Sequence, residues 1–233
     1  HPRVRRQRQM CIRDRYYGED LPINTWYMKR FAGLSEDGLS LWYYTDKETN
    51  EEKTTTTYST GDFYLCGDPN PDLYGGFGTS ITFHGFDLST QFSYLVGGLT
   101  YDYGYAGMMG NPTATSVGNR WHKDVLKAWS PENPSSTIPR WHFNDLNTTG
   151  SSDRFLIDGS YLNLQNIQVG YTLPDSWTSH LKIKNLRLYF VCDNVYYWSK
   201  RKGLDPRRSI SGVGTSGKIA PFRTYSGGIS LQF

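Results

Sequence analysis

The densest cluster of carboxylates in the sequence lies in a polar stretch, residues 45–57. Glu48, Glu51 and Glu52 stand close together there, and a run of four threonines follows Lys53. Paired carboxylates act as acid and base when burial or a histidine partner separates their pKa values. No histidine accompanies these three glutamates, and the composition predicts a solvated loop. We therefore interpret them as surface charges.

Residue patterns for other chemistries are also missing from the sequence. It contains no nucleophile elbow, no phosphate-binding loop and no histidine–glutamate pair at metal-ligand spacing. His84 is beside a predicted turn and has no ligand partner. Cys11, Cys66 and Cys192 do not have the spacing of a disulfide framework or zinc site. We predict a protein that is not an enzyme, with no catalytic residue, metal or cofactor.

The chain is unusually rich in large aromatic residues, with 18 tyrosines and 7 tryptophans. These side chains suit surfaces that are apolar at one end and wet at the other, such as membrane interfaces or faces that stack on sugars. The candidates for binding lie in predicted loops: Trp42, Tyr103, Tyr105, Trp121, Trp129 and Trp141. Each could equally form the core of its own loop. Residues 119–130 predict a short helix with Trp121, Val125 and Trp129 on one face.

Long alternating strands are the elements that would position these loops. Apolar and polar residues alternate over 77–83 and 86–96, on either side of a predicted tight turn at His84 and Gly85. Residues 160–171 also alternate, with a change of phase between 164 and 167 that predicts a β-bulge. Residues 183–198 and 225–233 follow, and the chain ends on an aromatic residue. Residues 23–31 and 39–44 also suit strands.

The predicted connections alternate between short and long. Those at 84–85 and 174–182 are short, whereas those at 97–155 and 199–221 are long. Long strands with one apolar face and alternating loop lengths are typical of outer-membrane barrels. We predict an all-β fold: an antiparallel transmembrane β-barrel segment of about eight strands of a larger barrel, with long extracellular loops.

Residues 1–15 carry six arginines and one aspartate, and we interpret them as a non-native basic leader; a natural basic arm is the alternative. Without them the chain is slightly acidic, so nucleic acid is not an expected partner.

Several motifs together resemble one family, the TonB-dependent outer-membrane transporters of the SusC/RagA type. They occur in family order between residues 67 and 233: GDPNPD (67–72), FGTS (77–80), GFDLS (85–89), SYLNLQNI (160–167), GYTLP (170–174), LRLY (186–189), DNV (193–195), GLDP (203–206) and the last nine residues. The resemblance implies a barrel of about 22 strands containing a plug. Residues 16–233 would be the C-terminal part of such a barrel, in the bacterial outer membrane.

The same resemblance implies partners and a role for the chain's end. It implies import of glycan or peptide cargo, energised by the TonB system through the missing N-terminal part, with a SusD-like surface lipoprotein as lid. The loop aromatics would contact cargo or this lid. The barrel-assembly machinery would recognise Tyr225, Ile229, Leu231 and Phe233, and outer-membrane lipid would surround the strands. Two alternatives remain open: a secreted all-β carbohydrate-binding module or hydrolase, and a standalone small outer-membrane barrel.

Overall fold

The computed structural model describes residues 14–113, 120–148, 150–178, 183–201, 205, 207, 212–213 and 221–233. Most of the predicted leader, including Cys11, lies outside these residues, as do parts of the predicted connections at 174–182 and 199–221. The chain divides into two units. We call residues 71–97, 159–207 and 218–233 the sheet unit, and residues 1–70, 98–158 and 208–217 the aromatic unit. In the described residues, no helix combines the length and the apolar character that a membrane span requires.

The chain is mainly β-structure, as predicted. The strands are β1 (Arg15–Tyr16), β2 (Thr25–Lys29), β3 (Phe31–Leu34), β4 (Ser40–Thr45), β5 (Glu52–Thr55), β6 (Phe63–Leu65), β7 (Leu73–Phe83), β8 (Phe86–Val96), β9 (Leu99–Tyr101), β10 (Leu156–Asp158), β11 (Tyr161–Thr172), β12 (Asn185–Ser199) and β13 (Thr224–Gln232). The helices are α1 (Tyr103–Met109) and α2 (Asp175–Thr178), with 3₁₀ turns at Lys123–Lys127 and Asp153–Phe155.

The sheet unit contains one antiparallel sheet with the strand order β13-β12-β11-β8-β7. Its strands are 9 to 15 residues long, enough for tilted strands to cross a bilayer. The predicted count of about eight barrel strands is too high for this sheet, which has five. The excess arose because residues 23–31 and 39–44 form β2, β3 and β4, which are short and belong to the aromatic unit.

Two local features of the sheet confirm the sequence analysis. His84 and Gly85 form a two-residue turn between the paired residues Phe83 and Phe86. Their φ angles of 47° and 85° are both positive, which a type I′ hairpin turn requires. β11 changes register between Leu164 and Asn166 against both of its neighbours. This is the predicted bulge.

The aromatic unit surrounds a small core of Trp26, Met28, Tyr101, Met109 and Phe155. The unit also contains three small sheets, with the orders β1-β2-β6, β3-β4-β5 and β10-β9. Two predictions are wrong here. Residues 103–109 were expected in a loop but form α1. Residues 119–130 were expected to be helical, whereas the described part of this stretch contains only the 3₁₀ turn Lys123–Lys127.

Candidate functional site

One face of the five-stranded sheet is apolar across all five strands. One row of paired residues runs from Phe83 through Phe86, Tyr171 and Leu188 to Ile229. The bulge in β11 is what keeps Leu164 and Ile167 on this same face, although they are an odd number of residues apart. A continuous apolar surface is therefore built into the strand register.

This apolar face is exposed. Phe83, Ile229 and Phe233 have exposed fractions of 70%, 65% and 74%. The exposed apolar side chains of the face include Leu73, Phe77, Ile81, Phe83, Phe86, Leu88, Val96, Leu162, Val169, Leu188, Phe190, Tyr196, Trp198, Tyr225, Ile229 and Leu231. Monomeric soluble proteins rarely expose so extensive an apolar surface. The arrangement suits contact with lipid.

The opposite face of the sheet is polar and carries an ion pair across three strands. Asp87 on β8 accepts two hydrogen bonds from Arg187 on β12, at 2.9 and 2.6 Å. Gly170 on β11 lies between them, and a Cβ atom there would collide with both side chains. On the same face Asn166 donates to Asp193 at 2.7 Å. Such a face suits an aqueous lumen.

A second charged cluster lies in the same unit, where Asp205 and Arg207 meet paired residues of β11 and β12. The Arg207 guanidinium donates twice to Asp205, at 2.8 Å each, and once to Asn163 at 2.6 Å. It also stacks over the Tyr197 ring. The hydrogen bonds to Asp205 raise the pKa of Arg207 above its usual value. Asp205 belongs to the predicted GLDP motif, so the structure gives this motif residue a role in fixing Arg207.

Three of the predicted binding aromatics pack within the aromatic unit. Trp42 is 1% exposed and packs edge-on against Phe31 and Tyr58. As a surface-binding residue it was a wrong prediction, because the indole is buried beside Phe31 of β3 and Tyr58 of a turn. Tyr103 packs on Tyr101 with ring centroids 4.4 Å apart. The Tyr105 hydroxyl donates to Asp124 at 3.1 Å.

Among the other three candidates, only Trp121 and Trp141 come together. Their rings are perpendicular with centroids 5.6 Å apart, and the Trp121 indole N–H donates to the Gly110 carbonyl at 3.1 Å. Trp141 is 45% exposed. Trp129 instead packs against the turn at Gly38. Phe143, which was not among the predicted binding residues, is 59% exposed; the aromatic run WHF at 141–143 could have indicated it.

Buried cations hold the aromatic unit's loops in place. Lys29 donates to the backbone carbonyls of Tyr58 and Ser59, and burial lowers the pKa of its ammonium group. Burial also lowers the pKa of the Arg154 guanidinium, to about 10. Arg154 lies over the Phe31 and Phe155 rings. These contacts give the loops a fixed structure but no catalytic arrangement. Among the described residues no cluster of potential metal ligands is found.

Comparison with known proteins links this geometry to one family. No protein-family model matches the chain. It is 29% identical over 228 residues to TonB-dependent receptor P3 of Formosa agariphila, a match that covers 94% of this chain and 21% of that protein. It is 27% identical over 182 residues to TonB-dependent receptor SusC of Bacteroides thetaiotaomicron, covering 76% of this chain and 17% of that protein.

Solved structures have the same fold. The RagAB peptide transporter matches with a TM-score of 0.78 and 23% identity over 97% of this chain and 24% of that one. The RagAB peptide importer in its closed-closed state matches with a TM-score of 0.76 and 25% identity over 94% of this chain and 24% of that one. The chain is a relative of the SusC-type TonB-dependent receptors.

The resemblance seen in the sequence motifs is thus confirmed. SusC-type TonB-dependent receptors are outer-membrane transport proteins, and the relatives are named as receptors and transporters, not as enzymes. The chain spans about a fifth of the length of the curated SusC-type relatives that it matches.

Proposed function

We propose that this chain forms part of the membrane-spanning wall and the surface loops of a TonB-dependent nutrient importer in the bacterial outer membrane. The observation that carries the proposal is the exposed apolar face of the five-stranded sheet, opposite a polar face. Lipid would cover the apolar face, and the polar face would line the lumen.

We assign residues 16–233 to the C-terminal part of the barrel, with residues 1–15 as a leader foreign to it. The large excess in length of the curated relatives supports a larger barrel. Within the described residues, β7 and β13 each pair with one neighbour only, and further strands of the barrel would cover their free edges. The two-residue turn at His84 and Gly85 would face the periplasm, and the longer loops the cell exterior.

The proposed importer works with several partners. The TonB system would act through receptor segments beyond this chain, and a SusD-like lipoprotein would cover the loops. The cargo would be a peptide or a glycan, and the similarity to the RagAB peptide transporter supports the peptide. Trp141 and its partner Trp121 are the best placed of the predicted contacts to cargo or lipoprotein. The barrel-assembly machinery would recognise Tyr225, Ile229, Leu231 and Phe233, all of which are exposed on the apolar face or at its end.

The alternatives fit the geometry less well. A secreted carbohydrate-binding module or hydrolase would bury the apolar face of its sheet against a core, whereas here that face is exposed. A standalone eight-stranded barrel would need eight long strands in one sheet, whereas the described sheet has five.

Import is tested in the source bacterium by deleting the gene of the receptor that contains this chain. Growth is measured on peptides or on glycans as the sole nutrient, with free amino acids and monosaccharides as controls. We expect growth on one polymeric class to fail and growth on the small nutrients to continue. Unchanged growth and unchanged uptake of fluorescent peptides and oligosaccharides would contradict the proposal.

A further inference from the structure

A cleft opens in the sheet unit beside the end of β12. It lies between residues 194–199 and 221–223 and has a volume of about 460 Å³. Asn194, one of the lining residues, donates from its side-chain amide to the Phe222 carbonyl at 3.1 Å. The cleft is at the end of the sheet opposite the turn at His84 and Gly85.

Three aromatic residues line this cleft: Tyr196 and Trp198 on the apolar face of β12, and Tyr197 on its polar face. Tyr196 and Trp198 pair with Leu164 and Leu162 of β11, which fixes them on the apolar face. They are 48% and 49% exposed, and their rings pack edge-on with centroids 4.8 Å apart. Tyrosine and tryptophan concentrate where the hydrocarbon region of a bilayer meets the headgroups. The cleft therefore lies at the depth expected for lipid headgroups.

The two arginines that line the cleft differ in their ion pairing within the described part of the chain. Of its two guanidinium groups, that of Arg207 is held by Asp205. Arg223 is exposed and donates to the Tyr225 hydroxyl at 3.5 Å. Among the described residues no carboxylate forms an ion pair with Arg223. Because the Tyr225 ring stacks on Phe190 of the apolar face, its contact with Arg223 places that guanidinium on the lipid side.

We propose that this cleft binds the phosphate group of an outer-leaflet lipid, with the Arg223 guanidinium donating to the phosphate oxygens. A guanidinium suits this role because its planar fork matches two oxygens of a phosphate. Tyr196 and Trp198 pack against the part of the lipid next to the phosphate. The inference rests on the proposed function, which puts this face of the sheet in the membrane.

The test uses the full-length receptor in nanodiscs of neutral phosphatidylcholine. Native mass spectrometry measures retention of bis-phosphorylated lipid A, with dephosphorylated lipid A as the second probe and inorganic phosphate as the competitor. We expect Arg223→Gln to weaken retention of the phosphorylated lipid by about tenfold, and Arg223→Lys to weaken it less. The matched control is Lys184→Gln, because Lys184 is exposed beside the opposite end of β12.

Preference for the phosphorylated lipid that is lost in Arg223→Gln and kept in Lys184→Gln supports the proposal. Equal retention of both lipids, equal loss in both variants, or full competition by millimolar inorganic phosphate overturns it. Failure of the membrane assignment itself is distinguishable, because the wild-type receptor would then not enter nanodiscs or retain any lipid.

Discussion

At the scale of single residues, glycines on the polar face of the sheet make room for large side chains from neighbouring strands. Gly170 admits the Asp87–Arg187 ion pair, and Gly228 admits the ring of Tyr189, which lies directly over it. The adjacent Gly227 faces the other way, and the nearest atom to a Cβ there would be the Tyr189 carbonyl oxygen, 3.8 Å away. Gly227 and Gly228, neighbours in β13, therefore differ sharply in the space available for an added side chain.

Gly228→Ala is predicted to destabilise the pairing of β13 with β12, because the added methyl group overlaps the Tyr189 ring. The free energy of unfolding of the receptor in detergent, measured by urea titration, should fall by about 1–3 kcal/mol. Gly227→Ala is the matched control and should be nearly neutral. Shortening the ring in the double variant Gly228→Ala/Tyr189→Ser should recover part of the loss. Equal effects of the two alanine variants would refute this packing.

At the scale of elements, the sequence predicted the long strands well because their register depends on local alternation. The β7–β8 hairpin and the β11 bulge could be predicted, because each has a local sequence signal. The hairpin has turn residues between two alternating runs, and the bulge has a change in the phase of alternation. Helix α1 could not be predicted from the sequence, because its residues Gly104 and Gly107 disfavour helices. It forms because the Asp102 side chain caps it, accepting a hydrogen bond from the Tyr105 N–H, and because Met109 enters the core.

The burial of the loop aromatics also could not be predicted from the sequence. Trp42 is enclosed by Phe31 and Tyr58, and no local pattern indicates that these three rings meet. The same holds for Trp129 and the β3–β4 turn. The Trp129 ring packs directly on Gly38, and the Gly38 carbonyl accepts a hydrogen bond from the Arg140 N–H at 2.8 Å.

Gly38→Ala is predicted to release residues 129–140 from the β3–β4 turn, since a Cβ at position 38 overlaps the Trp129 ring. Amide hydrogen exchange of that segment should accelerate by about tenfold or more. Gly33→Ala controls for backbone strain, because Gly33 also has a positive φ (104°) but open space around it. The same acceleration in both variants would show that strain, not the tryptophan contact, is responsible.

At the scale of the whole molecule, the sheet supports the proposal that the chain is part of a larger barrel. Of the described strands, β7 and β13 form the sheet's edges, and unpaired backbone groups at a sheet edge cannot remain in hydrocarbon. In the proposed membrane setting, lipid would cover the apolar face and neighbouring strands would pair with both described edges. A wall segment of a larger closed barrel meets both requirements.

Residues 16–233 alone are therefore predicted not to form a closed barrel. Refolded in detergent, they should show no heat-modifiable band on electrophoresis, whereas the full-length receptor should show one. A compact heat-modifiable species formed by residues 16–233 would mean that the five-stranded sheet closes with strands from the same chain. The standalone barrel would then replace the proposed fragment of a larger one.

The most direct test of the membrane-wall assignment is a cysteine scan along β8 in the full-length receptor, with native cysteines replaced. A polarity-sensitive fluorophore is attached at six consecutive positions, and its quenching by brominated lipid in proteoliposomes is measured. The positions are Leu88, Ser89, Thr90, Gln91, Phe92 and Ser93. We predict strong quenching at 88, 90 and 92 and little at 89, 91 and 93. Uniform quenching, or none at any position, would contradict a sheet with lipid on one face and water on the other.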